Sequence, residues 1–299
     1  MSAVTQREAA PAPSRLRARR RDSSARRASD LVLLVPLAVV LLAIIFPVLW
    51  MVYSALRPVQ DIAAGVSWST LLDNISLDAF ARLFEATNFE QYILNSLLVC
   101  LVGTFCTVIV ASLAGFALSR YSFRGRGAMF LLLVATQLLP FVVLITPVYL
   151  FFSQLGLLNS YPGIVLVYVA MTLPLAVLLM SGFFNGVPRT LDEAARMDGA
   201  STLTVLARVI APLVWPGIVT VSVTAFIAMW EEFLFAQVFL TDDSLKTAQV
   251  GLAGLFGEYG TDWGVVMAAS TIAAAPTIIL FSFLQRRLVA GVAAGAVKG

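Results

Sequence analysis

The chain has 299 residues, 60% of them hydrophobic and only 12% charged, with a formal net charge of +3. A soluble domain carries about a quarter charged residues, and the long apolar blocks here are more than the water-facing side of a soluble helix tolerates. Composition therefore places the chain in a membrane. Histidine is absent, which excludes imidazole metal sites, Ser-His hydrolysis and histidine proton relays. Lysine occurs only at Lys246 and Lys298, neither in a Gly-rich phosphate loop. A nucleotide that drives this chain is hydrolysed by another one.

In chain order, residues 1–30 are rich in Arg, Ala and Ser without apolar periodicity, and read as a disordered basic cytoplasmic tail. The arginines serve topology and anionic lipid, with no nucleic-acid role. Six apolar segments follow, at about 31–54, 92–118, 128–151, 162–184, 205–233 and 264–285. Each is long enough to cross a hydrocarbon core of roughly 30 Å as a helix of about 20 residues. The first exceeds a signal-peptide core and reads as a retained span. Cys100 and Cys106 share the second span about 240° apart around the helix, which argues against a disulfide. The outer loop at about 55–91 contains Leu77, Phe80, Leu83 and Phe84 at the spacing of an amphipathic helix lying on the outer membrane surface.

Orientation follows from the basic residues, which stay on the cytoplasmic side. With the N-terminus inside, only Arg57, Arg82 and Lys246 of the 20 Lys and Arg residues fall outside. Both termini are thus expected in the cytoplasm.

The loop after the fourth span, at about 187–212, carries the most information. Thr190 with Glu193 has capping-box spacing, Asp192 and Glu193 suit the positive end of a helix, and Ala194 and Ala195 leave a shallow helical face. Gly199 is placed to end the helix in the left-handed conformation. A short, exposed, capped helix is expected at 190–199. The run Glu193-Ala194-Ala195, three residues, Gly199, nine residues, then Val209-Ile210-Ala211-Pro212 resembles the EAA loop of binding-protein-dependent ABC importer permeases, with Ala211 where leucine is usual. The resemblance implies an all-α, six-span MetI-like permease at residues 31–299, whose short helix is a coupling helix for a separate ATPase. Glu193, Ala194, Ala195, Asp198, Gly199 and Pro212 would serve that coupling. Chemistry is then absent from this chain, which binds no cofactor of its own, ATP and Mg residing on the ATPase.

Similarity to the carbohydrate branch, the maltose-type second permease, extends to Asn95-Ser96-Leu97-Leu98, to Ala117 through Arg126, to Trp230 through Ala236, and to the run from Gln285. It implies import of a sugar, oligosaccharide or glycerol phosphodiester across a bacterial or archaeal plasma membrane. The implied partners are a second homologous permease, two ATPase copies or a related pair, an extracytoplasmic solute-binding protein, and lipid. Candidates for the substrate pathway are Gln137, in the middle of the third span, and Trp230, Glu231 and Glu232 near the outer end of the fifth. Trp263 and Tyr259 are further aromatic candidates, although aromatics at that depth are more often interface anchors. Pro140, Pro147 and Pro174 can kink their spans. The competing reading, a secondary transporter driven by an ion gradient, would need no ATPase.

Overall fold

The computed structural model describes residues 15–58, 75–257 and 261–296, with side chains described between 34 and 283. Two compact units divide the chain, residues 1–53 and 54–299. The first unit is helix α1, Arg15–Ala55, whose apolar stretch Leu34–Ala55 is long enough to span a membrane. Its large side chains, from Leu34 to Trp50, are mostly exposed, a surface suited to lipid. The expected basic tail covers residues 1–30. Residues 1–14 lie outside the described residues, but from Arg15 the chain is already helical. Arg and Ala are good helix formers, and extending an existing helix adds one hydrogen bond per residue without a new nucleus.

The second unit begins with α2 (Asp78–Ala86), α3 (Phe89–Arg120), α4 (Arg126–Thr136), α5 (Phe141–Gln154), α6 (Tyr161–Asn185) and α7 (Arg189–Met197). Then follow α8 (Thr202–Leu213, with a π-helical stretch Val205–Ile210), α9 (Trp215–Trp230), α10 (Leu234–Phe239), α11 (Ala248–Ala253) and α12 (Trp263–Ala296). Among the described residues, four continuous helices are long and apolar enough to cross a membrane, and the count reaches six when two bent pairs are each taken as one span.

Two of the six expected spans are sharply bent pairs of helices. Helices α4 and α5 meet at 101°, and α8 and α9 at 85°. Proline supplies the reason in both. Its ring collides with the carbonyl four residues back in a continuing helix and its nitrogen donates nothing. Pro140 stands four residues after Thr136, the last residue of α4, and takes an extended conformation (φ −69°, ψ 115°). Pro216 likewise stands four residues after Pro212, across the break at Val214. Pro147 and Pro174, by contrast, lie inside helices.

Helices α3 and α6 make the most extensive pair, and α9 packs on both. Lipid tails compete for apolar surface, so close approach and hydrogen bonds hold such helices together. At Gly115 a Cβ would sit 2.8 Å from the Met180 Cβ and 2.9 Å from the Ser181 nitrogen, so only glycine lets α3 and α6 meet there. One core gathers Val99, Tyr168, Met229, Trp230 and Phe239, and a second Phe116, Met180, Phe184 and Ile210. A third joins α2 to α12 through Ala79, Leu83, Ala268 and Ala269. This revises the picture of an amphipathic helix lying on the membrane. Helix α2 buries Ala79 and Leu83 within the protein, leaves Leu77 and Phe84 largely exposed, and pairs Arg82 with Asp262 at 3.2 Å.

Candidate functional site

Helix α7 is the expected short helix, built with different ends. It starts at Arg189, with Pro188 at the cap position and no side-chain cap. The Thr190–Glu193 capping box therefore does not form. Pro188, extended at ψ 135°, begins the helix one residue early and leaves Thr190 inside the first turn. The C-terminal end does follow the sequence. Gly199 has φ +81°, its N–H donates to the Arg196 carbonyl at 3.0 Å, and the Ala200 N–H donates to the Ala195 carbonyl at 3.0 Å. This is a Schellman closure. Ala195 and Ala200 pack on the second core, while Glu193, Ala194, Met197 and Asp198 are exposed, as is Pro212 in α8.

Asp192 has another role than complementing the helix dipole. Its carboxylate lies 2.7 Å from the Arg120 Nε, and the two side chains are only 8% and 4% exposed. Arg120 also donates to the Val187 carbonyl at 3.1 Å, and Arg189 donates back to the Ser119 carbonyl at 3.0 Å. The Ser119 hydroxyl donates to Asn185 at 2.8 Å, and Arg196 donates to the Tyr121 hydroxyl at 3.2 Å, its guanidinium 5.9 Å from that ring's centre. The last residues of α3 are thus clamped to both flanks of α7. Sequence reasoning grouped Ser119-Arg120-Tyr121 and Asp192-Glu193 as separate segments. The available signal was a basic residue at the end of a span and an acidic one two residues before the alanine pair.

A second set of residues lines a cavity of about 160 Å³ among the α4–α5 break, α6 and α9. Gln137 and Phe141 come from the break, Tyr168 and Thr172 from α6, Thr224 from α9, and Glu232 from the turn after it. Gln137 closes α4 at the bend between the two halves of the third span. Glu232 caps α10, with its two carboxylate oxygens accepting the N–H groups of Phe235 and Ala236 at 2.8 and 3.1 Å. Gln137 and Glu232, far apart in sequence, therefore share one cavity.

The other pathway candidates do not join them. Trp230 is 2% exposed, its ring stacked on Phe226 at 5.8 Å and its Nε1–H donated to the Ala273 carbonyl at 2.9 Å. Both its face and its donor are used in packing, which removes it as a stacking platform for a sugar. Glu231 is exposed and outside the cavity lining. Trp263 packs edge-on against Phe256, and Tyr259 lies outside the described residues.

At the other end of α3, Asn95 uses its whole amide. Its Nδ2 donates to the carbonyls of Ser244 and Lys246, both at 2.9 Å. Its Oδ1 accepts from Gln91 at 2.8 Å and from the Tyr161 hydroxyl at 2.7 Å. Ser96 accepts the Ala248 N–H at 2.8 Å. Asp243 accepts from Tyr92, Asn88 and Lys246. Hydrogen bonds from Lys246, Tyr92 and Asn88 lower the Asp243 carboxyl to about 2. The segment 243–248 is latched to α3, which explains why Asn95-Ser96 stand together.

The fold is thus a membrane bundle with an exposed, Schellman-closed helix locked to the end of a span and a largely apolar cavity between bent spans. Comparison with known proteins agrees. Residues 107–294 match the family described as binding-protein-dependent transport system inner membrane component, and the chain belongs to that family. The diacetylchitobiose uptake system permease protein of Streptomyces coelicolor is 34% identical over 262 residues, covering 87% of this chain and 94% of that one. The trehalose/maltose transport system permease protein of Thermococcus litoralis is 34% identical over 274 residues, covering 89% and 97%. A bacterial ABC transporter solved as an importer of the acidic polysaccharide alginate shares the fold, with a TM-score of 0.76 at 23% identity over 93% of this chain and 99% of that one. Membership sets aside the ion-gradient carrier.

Proposed function

We propose that this chain is one permease half of an ATP-driven importer for a carbohydrate, coupled through α7 to a separate ATPase. The observation that carries the reading is the clamp of Arg120, Asp192, Arg189 and Tyr121, which makes α7 a rigid extension of α3. Relatives named for diacetylchitobiose and for trehalose and maltose support a sugar as cargo. In this reading a second, homologous permease completes the pathway, two ATPase copies or a related pair bind and hydrolyse ATP with Mg, and an extracytoplasmic binding protein delivers the sugar. Both termini lie in the cytoplasm.

The mechanism follows from what is rigid and what is not. Closure of the ATPase pair on ATP pushes α7 through its exposed face of Glu193, Ala194 and Met197. The buried ion pair passes that displacement to α3, and close packing passes it to α6 and α9, which line the cavity. The bends at Pro140 and Val214 let neighbouring segments reorient without stretching the α3–α6 pair. Hydrolysis releases the ATPase pair and α7 returns.

The test is purification of the chain from its own membranes in mild detergent, followed by reconstitution. Recovery with a second permease and an ATPase, and sugar uptake that requires ATP, is the expected result. Replacing Gly199 by valine should separate the two activities, with ATP still hydrolysed and uptake lost. Recovery of the chain alone, with uptake driven by an ion gradient, would overturn the reading.

A further inference from the structure

We infer that the π-helical turn Val205–Ile210 within α8 is a slip joint, a one-residue register switch that lets α8 turn about its own axis between α7 and the bend at Val214. The inference rests on the importer reading and adds a moving part that the clamp on α3 does not provide.

The π turn holds one residue more than the helix around it. At its start the Val205 N–H donates four residues back, to the Ser201 carbonyl at 2.9 Å, and beyond it the Val214 N–H donates four residues back, to the Ile210 carbonyl at 3.1 Å. Between them the Ala211 N–H reaches five residues back, to the Leu206 carbonyl. Five residues of α-helix turn through about 500°, which would leave Val205 and Ile210 about 140° apart. The wider turn stacks them, and both are fully buried in the second core. Such turns are rare and concentrate where a helix has work to do.

The sequence offers the core a second register. Apolar residues come in adjacent pairs every four positions, as Val205-Leu206, Val209-Ile210 and Leu213-Val214. In the structure Leu206, Ile210 and Val214 are buried, Val209 is half-buried against the same core, and Leu213 is exposed. Residues four apart share one face of an α-helix. When the π turn closes to α, Val209 therefore comes under Val205, and Val209 and Leu213 take the places of Ile210 and Val214. Each buried side chain is exchanged for an aliphatic neighbour, and the helix beyond the turn rotates by about 100°.

The position of the turn ties it to transport. Helix α7 packs directly on the π stretch, with Ala195 and Ala200 in the same core. Ser201 anchors the start of α8, its hydroxyl accepting the Thr204 N–H at 3.3 Å. Past the 85° bend begins α9, whose Val221, Ala225 and Met229 line the cavity. Ala207 and Arg208 lie exposed on the outer side of the turn, so they can rotate without displacing a packed neighbour. Packed cores switch between discrete arrangements instead of deforming continuously, and a displaced α7 selects between these two.

The test uses the complex isolated with its partners, with Cys100 and Cys106 replaced by alanine and one cysteine introduced at a time by Leu206→Cys, Val209→Cys or Ile210→Cys. Labelling rates with a charged maleimide are compared without nucleotide and with Mg and a non-hydrolysable ATP analogue. Position 209 should label faster than 210 in one state and slower in the other, a change in their ratio of at least about tenfold, while 206 stays protected in both. An unchanged ratio, or 206 and 210 becoming exposed together as in a rigid tilt, would overturn the slip joint. Deletion of Ala207 removes the extra residue and should fix the α pattern in both states, with uptake lost and ATP still hydrolysed. Normal uptake by that variant would also overturn the slip joint, and the cysteine comparison decides the matter if the shortened chain does not fold. ATP-driven uptake by the unlabelled complex reports on the importer reading separately. Its absence sinks that reading, and its presence with an unchanged labelling ratio sinks the slip joint alone.

Discussion

Replacing Asp192 by asparagine keeps the size of the side chain and removes its charge. Arg120 then remains at 4% side-chain exposure with the Val187 carbonyl as its remaining hydrogen-bond acceptor. Removing one member of a buried ion pair costs about 3–5 kcal/mol, most of it from the charge left behind. The pair sits at the end of the bundle beside the exposed α7, which can lift and let water reach the arginine, so the lower end, about 3 kcal/mol, applies. The cost should appear as local opening of α7, because Gly115 packing and the Asn95 latch hold the spans independently. At 1.4 kcal/mol per tenfold, amides 190–200 should exchange with deuterium on the order of 100-fold faster. Amides in α3 and α6 should change little. Uptake per ATP hydrolysed should fall while hydrolysis continues. The double variant Arg120→Met, Asp192→Leu removes both charges and should regain most of the protection. Exchange within about threefold of wild type in Asp192→Asn would refute the claim that this pair seats α7.

Other outcomes follow from single contacts. Asn95→Ala removes the partner of the Ser244 and Lys246 carbonyls and of the Tyr161 hydroxyl; because Ser244 is exposed and the other two are half-buried, the loss should stay near the low end of the roughly 1–3 kcal/mol of a buried group. The melting temperature in detergent should drop by several degrees, and protease should cut near 243–248 first. Gly115→Val forces α3 from α6 and should cost about 1–3 kcal/mol by overpacking, read as lost thermal stability and lost yield. The Asp243 carboxyl is lowered from 3.8 to about 2. A depressed carboxyl stabilises the fold above its unfolded value and loses that contribution as pH falls towards the folded one. The outer latch should therefore hold at pH 5 and weaken only between about 4 and 2, a dependence that Asp243→Asn abolishes in fluorescence-monitored acid titration. Glu231→Gln should leave sugar uptake unchanged, since Glu231 lies outside the cavity; a clear loss would return it to the pathway.

The amino-acid order alone determined the membrane class, the number of apolar segments and the place and end of the short helix α7. Each depends on local chemistry: a run of apolar residues long enough for a bilayer, or a glycine where the backbone must turn left-handed. Proline positions were legible as kinks, but whether a proline bends a span or breaks it depends on what packs behind it. Pro147 and Pro174 remain inside helices, whereas Pro140 turns the chain through 101°. The partners of Arg120 and Asp192 were decided by tertiary structure alone, since charge pairing across 72 residues leaves no periodic mark. So was the gathering of Gln137 and Glu232 into one cavity. Trp230 shows the same limit: an aromatic residue near a span end has the same local sequence whether it faces a sugar or a core, and packing against Phe226 and Ala273 chose the core.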